Sequence, residues 1–93
     1  MLTPKVKRRI MRALREERPT VWVGKEGTTV QIITEVAKQL DAREMIKVKI
    51  QKNALKDEEA KNIAIKIAQQ TESELVEVRG HTFLLYKRKS KRE

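Results

Sequence analysis

Val21-Trp22-Val23-Gly24-Lys25-Glu26-Gly27-Thr28-Thr29-Val30 is the stretch around which the rest of the chain arranges itself. Val21 and Val23 alternate with Trp22, which is the period of a short strand. Gly24 and Gly27 bracket a Gly-x-x-Gly loop, where the backbone turns sharply and can lie close to a ligand. Lys25 sits inside it, and Glu26 adds a negative charge beside that lysine. Thr28 or Thr29 caps the helix that follows, and a helix N-terminus favours anions. A strand, a tight loop and a helix start in that order suit a phosphate backbone. The spacing alone also fits a plain strand-to-helix turn. It matches neither the Walker nor the dinucleotide pattern, since both need further glycines or a Gly-Lys-Ser/Thr ending.

Upstream, Thr3-Pro4 opens a helix, with threonine as the cap and proline at the first helical position. Val6, Ile10, Ala13 and Leu14 share one face of it. Arg8, Arg9, Arg12 and Arg15 spread over the others, and the helix ends before Pro19. A first strand at 20–23 feeds the loop. The second helix spans 28–40, with Val30, Ile33, Val36, Ala37 and Leu40 as its buried stripe. Residues 45–51 form a strand whose Ile46, Val48 and Ile50 face the core, while Lys47, Lys49 and Gln51 face out. Residues 53–56 read as a loop. Asp57, Glu58 and Glu59 follow in a first helical turn, where carboxylates oppose the macrodipole. That third helix carries Ala60, Ile63, Ala64, Ile67 and Ala68 inward and ends near Thr71. A strand at 74–79, a turn at Arg79-Gly80-His81 and a strand at 82–87 complete the order αβαβαββ. The expected fold is one α/β (α+β) domain over residues 1–87, a two-layer sandwich with a four-stranded mixed sheet and helices packed on it. Residues 88–93 read as a mobile basic tail.

The chain has 93 residues, 39% of them apolar, which suffices for one modest core. It has no cysteine, so disulfide and thiolate chemistry are excluded. The longest apolar run, Phe83 to Tyr86, is far short of a membrane span. No signal-peptide pattern precedes Lys5. A soluble, cytoplasmic protein with no membrane partner is expected. The net charge is +9, and its placement is uneven. Residues 1–18 carry seven bases against two acids, residues 87–93 five against one, and the stretch between is neutral. Excess positive charge at both ends is the footprint of a polyanion partner.

Catalysis is hard to build from these residues. His81 is the one histidine and falls in a turn, and no spacing of ligands suggests a metal. We therefore expect no catalytic residues, no metal, no cofactor and no small-molecule substrate. Nucleic-acid binding is better supplied. Lys25 and the amides of Gly24, Glu26, Gly27 and Thr28 can meet phosphates, and Arg8, Arg9, Arg12 and Arg15 add long-range attraction. Lys47, Lys49 and Arg79 would extend the basic surface across the sheet. Trp22 either stacks on a base or lies under the first helix.

In order and spacing these residues resemble the CRM (chloroplast RNA splicing and ribosome maturation) domain, in its single-domain YhbY-type form. The resemblance rests on Leu2-Thr3, Pro19, Val23-Gly24-Lys25-Glu26-Gly27, Glu35-Val36 with Gln39-Leu40, Glu44-Met45-Ile46-Lys47-Val48-Lys49, and Gly80 with Leu84-Leu85-Tyr86-Lys87. Glu26, Thr28 and Trp22 depart from the family's usual residues. The resemblance implies a fold similar to the C-terminal domain of bacterial translation initiation factor three. It also implies RNA binding through the loop, likened to that of KH domains, and a role with ribosomal RNA or large-subunit precursors. A monomer is expected. Two other readings stay open: a nucleic-acid coating protein of Alba type, and a ribosome-bound protein-interaction module anchored by its basic ends.

Overall fold

Thr3 starts the first helix as its chemistry requires. Its Oγ1 accepts the Val6 amide at 3.2 Å, and Pro4 fills the first helical position. The computed structural model describes residues 2–52 and 59–88. The elements in chain order are α1 (Pro4–Leu14), β1 (Val21–Val23), α2 (Val30–Arg43), β2 (Met45–Ile50), α3 (Ala60–Thr71), β3 (Glu74–Arg79) and β4 (Thr82–Tyr86). This is the expected order αβαβαββ. Residues 53–56, Asp57, Glu58 and the tail from Lys89 to Glu93 lie outside the described residues.

The sheet runs β1-β2-β4-β3. β1 and β2 are parallel, whereas β4 is antiparallel to both β2 and β3. β3 therefore points the same way as β2, one strand removed. The crossovers β1–α2–β2 and β2–α3–β3 both step in the same direction across the sheet. A single handedness for both requires α2 and α3 on the same face. They do share a face: Val36 and Leu40 of α2 and Ile63, Ala64, Ile67 and Ala68 of α3 close over Val21, Val23, Ile46, Val48, Ile50, Phe83 and Leu85.

α1 belongs to neither crossover, and it takes the other face. Its Ile10 and Leu14 pack on Val76 and Leu84, with Val6, Met11, Met45 and Tyr86 around them. The helices therefore enclose the sheet from both sides, and the two-layer expectation becomes three layers. The reason lies in the alternation of β4 and a bulge in β3. Leu84 points away from Phe83 and Leu85, and the register shift between Leu75 and Glu77 turns Val76 away from Val78, so both faces of this hairpin are apolar and both need cover.

Two residues assigned to buried stripes are in water. Val30, the first residue of α2, is 82% exposed, and Ile32 packs against the core in its place. Ala13 is exposed, and Met11 packs on the sheet side of α1 instead. Glu59 is the N-cap of α3 rather than a first-turn residue, and its side chain makes no capping bond. Among the described residues no helix is long and apolar enough to cross a membrane.

Helix C-termini consume part of the basic charge. Lys47 Nζ donates to the carbonyls of Leu14, Arg15 and Glu17 at 3.3, 3.4 and 3.0 Å, tying the end of α1 to β2. Lys87 Nζ does the same for α3 through Thr71 O at 3.0 Å. Glu44 (φ 67°) and Glu72 (φ 56°) end α2 and α3 with left-handed backbone, a conformation that glycine adopts at less cost.

Candidate nucleic-acid interface

The Gly24–Gly27 loop leaves the carboxyl end of β1 and enters α2, the place where open α/β sheets hold ligands. Gly27 N–H donates to Gly24 C=O at 2.9 Å, closing a tight turn. The two glycines are not equivalent. Gly27 has φ +74°, which side chains rarely adopt, whereas a Cβ on Gly24 would meet only Gln51 Oε1 at an ordinary 3.7 Å. Lys25 and Glu26 form the exposed tip.

Of the two candidate caps, Thr29 is the one used. Its Oγ1 accepts the Ile32 amide at 3.2 Å. The amides of Val30 and Gln31 precede the first intrahelical bonds and point toward the loop end. The first turn of α2 holds no acidic residue, so its partial positive charge is not neutralised from within. A shallow depression of about 290 Å³ lies here, lined by Gly24, Lys25, Glu26, Gly27, Thr29, Gln31 and Ile32, so one carboxylate borders it beside the lysine. Thr28 does not present its hydroxyl to this depression. Its Oγ1 is buried and has no hydrogen-bond partner among the described residues.

The arginine row of α1 lies on the helix surface turned from the sheet. Lys5, Arg8, Arg9 and Arg12 border one depression of about 450 Å³. Arg15 is a turn further on, at the edge where α1 meets the sheet. Among the described residues no carboxylate pairs with these guanidinium groups. Glu17, the nearest acid along the chain to have a partner, is turned toward Arg43 at 3.4 Å. An exposed row of like charges repels itself and is relieved by an anionic partner.

Lys47 and Lys49 differ in their occupation. The Lys47 ammonium is held by the three α1 carbonyls, while Lys49 Nζ stands 5.6 Å from the centre of the Trp22 ring. Trp22 is 50% exposed, so α1 does not cover it. The structure thus gathers Gly24, Lys25, Glu26 and Gly27 at one sheet end and Arg8, Arg9 and Arg12 on α1. Trp22 and Lys49 lie on the sheet between, and Lys47 is engaged in holding α1. Gln31 and Ile32 were not foreseen at the loop. Their signal is the cap at Thr29, which sets the first turn against Gly27.

Among the described residues no group of three histidines, aspartates or glutamates is placed to hold a metal.

The archaeal "Probable RNA-binding protein MJ0652" of Methanocaldococcus jannaschii is 43% identical over 86 residues, covering 92% of this chain and 63% of its own length. This chain thus spans somewhat under two thirds of that relative. "Probable RNA-binding protein YqeI" of Bacillus subtilis is 36% identical, covering 94% of this chain and 88% of its own. The solution structure of the hypothetical protein SAV1595 of Staphylococcus aureus superposes with a TM-score of 0.79 at 31% identity, over 100% of this chain and 95% of that one. With residues 2–87 matching the CRS1 / YhbY (CRM) domain, the chain belongs to the CRM domain family.

Proposed function

We propose that this protein binds RNA without turning it over, and that it acts on ribosomal RNA or on precursors of the large ribosomal subunit. The observation that carries this reading is the pairing of two surfaces. One is a turn closed by Gly27 N–H on Gly24 C=O, set against the Val30 and Gln31 amides that open α2. The other is an arginine row on α1 with no carboxylate partner among the described residues. The loop offers amides and Lys25 to a phosphate at short range, and the row draws a polyanion from a distance. Two relatives named as RNA-binding proteins support the same reading. A monomer in the cytoplasm fits this role.

The test is a salt titration of binding to a ribosomal RNA fragment and to duplex DNA of matched length. It compares the wild type with a Gly24→Asp/Gly27→Asp double variant that circular dichroism shows to be folded. The wild type is expected to prefer RNA, with log affinity falling by about 0.7–0.9 per phosphate contact for each unit of log salt. The variant is expected to lose RNA affinity at moderate salt. Equal binding of both proteins to both ligands, with one steep slope, would assign binding to the basic ends and abandon the loop.

A further inference from the structure

A single row of side chains crosses the sheet where α1 ends. Trp22 is in register with Lys49, Lys49 with Thr82, and Thr82 with Arg79, one residue from each strand. Their neighbours Val21, Val23, Val48, Ile50, Phe83 and Val78 all belong to the core under α2 and α3. Strand alternation therefore turns the whole row to the opposite face. α1 covers the next part of that face and leaves this part open. Between the row and the helix lies a cavity of about 170 Å³, with Met11 of α1 and its C-cap Arg15 on one side and Glu77, Arg79, Thr82 and Leu84 on the other.

The protein has one Trp, one Tyr and one Phe. Phe83 is fully buried and Tyr86 packs into the α1 cluster, so Trp22 at 50% exposure is the aromatic left for a partner. Lys49 holds one side of the indole through a cation–π contact of 5.6 Å, which fixes the ring while half of the residue stays in water. Arg79 stands at the other end of the row and Arg15 on the cavity wall, continuing the arginines of α1. Trp22 is two residues before Gly24, about 7 Å along a strand, a separation that one nucleotide of an unstacked chain bridges.

We propose that this row is a stacking platform for an unpaired nucleotide of the bound RNA, a role that rests on the RNA-binding reading above. The base lies on the open part of Trp22. Lys49 meets a phosphate flanking that base. Arg79, three strands across the sheet from Trp22 and about 14 Å away, meets the backbone further along the chain, and Glu77 repels the backbone from the cavity floor. The loop and the α1 arginines need only phosphates, which a duplex also supplies. The platform needs a bare base face, which a duplex keeps within its stack. It therefore gives the protein its preference for unpaired over paired RNA.

Because Trp22 is the only tryptophan, its emission reports on the site directly. The full chain is titrated with end-labelled oligoadenylate and with a labelled blunt RNA duplex. Label anisotropy and indole emission are followed in the same sample. Oligoadenylate is expected to bind and quench, and the duplex to bind without quenching. Trp22→Leu, which keeps an aliphatic strand residue, is expected to weaken oligoadenylate about 5- to 150-fold and leave the duplex unchanged; Trp22→Phe should restore most of the loss. If oligoadenylate binds with unchanged emission, or binds Trp22→Leu as well as wild type, the platform is wrong and the RNA reading stands. If no RNA moves the anisotropy, both readings fall.

Discussion

On one face of the sheet, two helices close over aliphatic side chains and Phe83, and the residues from Val21 across to Leu85 are removed from water. On the other face a single helix covers Val76 and Leu84 and stops short of Trp22, Lys49, Thr82 and Arg79. The strands are the same and so is the alternation; what differs is how far the cover extends. The first face shows what makes the chain fold. The second shows how a scaffold keeps part of a sheet available, since polar and aromatic groups can stay exposed there at little cost to the core.

The sharpest way to break the comparison is to truncate one residue on each face. Phe83→Ala removes a fully buried ring under α2 and α3 and is expected to cost about 3–5 kcal/mol in urea unfolding, a large share of a small domain's stability. Leu84→Ala, its neighbour on the α1 face, borders a cavity into which the site can relax, and is expected to cost about 2 kcal/mol. Equal losses would mean that the α1 face is as tightly packed as the other.

Two lysines on one strand sharpen it further. Lys47→Met strips three carbonyls of their donor and is expected to destabilise the fold by about 1–2 kcal/mol. Lys49→Met gives up only an exposed cation–π contact and is expected to cost less than about 1 kcal/mol, while reducing the salt slope of RNA binding by about 1. Thermal unfolding and a salt titration on the same pair of variants read both effects, and interchanged outcomes would reverse the assignment of the two lysines.

Smaller effects are expected at the backbone. Gly27→Ala forces a side chain into φ +74° and should cost about 1–2 kcal/mol, whereas Gly24→Ala should be close to neutral for folding. The left-handed end of α3 gives the opposite sign. Glu72→Gly should raise stability by about 1 kcal/mol, as measured by the denaturation midpoint.

Much of this arrangement is legible along the chain because it is set by neighbours. Thr3 and Thr29 cap helices through atoms three residues away, Gly80 turns a hairpin with left-handed φ, and Ile46, Val48 and Ile50 alternate with Lys47 and Lys49. Local sterics and hydrogen bonding determine the seven elements and the loop at Gly24–Gly27 wherever the chain goes next. Other features depend on partners tens of residues apart. β4 inserts between β2 and β3, and the bulge where β3 pairs with it leaves apolar side chains on both faces of the hairpin, one of which α1 covers. That placement takes Lys47 as an anchor for α1 and leaves Lys49 on Trp22. Composition and periodicity do not distinguish Lys47 from Lys49, since both are lysines on the polar side of one strand. Only the position of the α1 carboxyl end, thirty residues upstream in the case of Glu17, separates a lysine that holds the fold from one left beside an exposed indole.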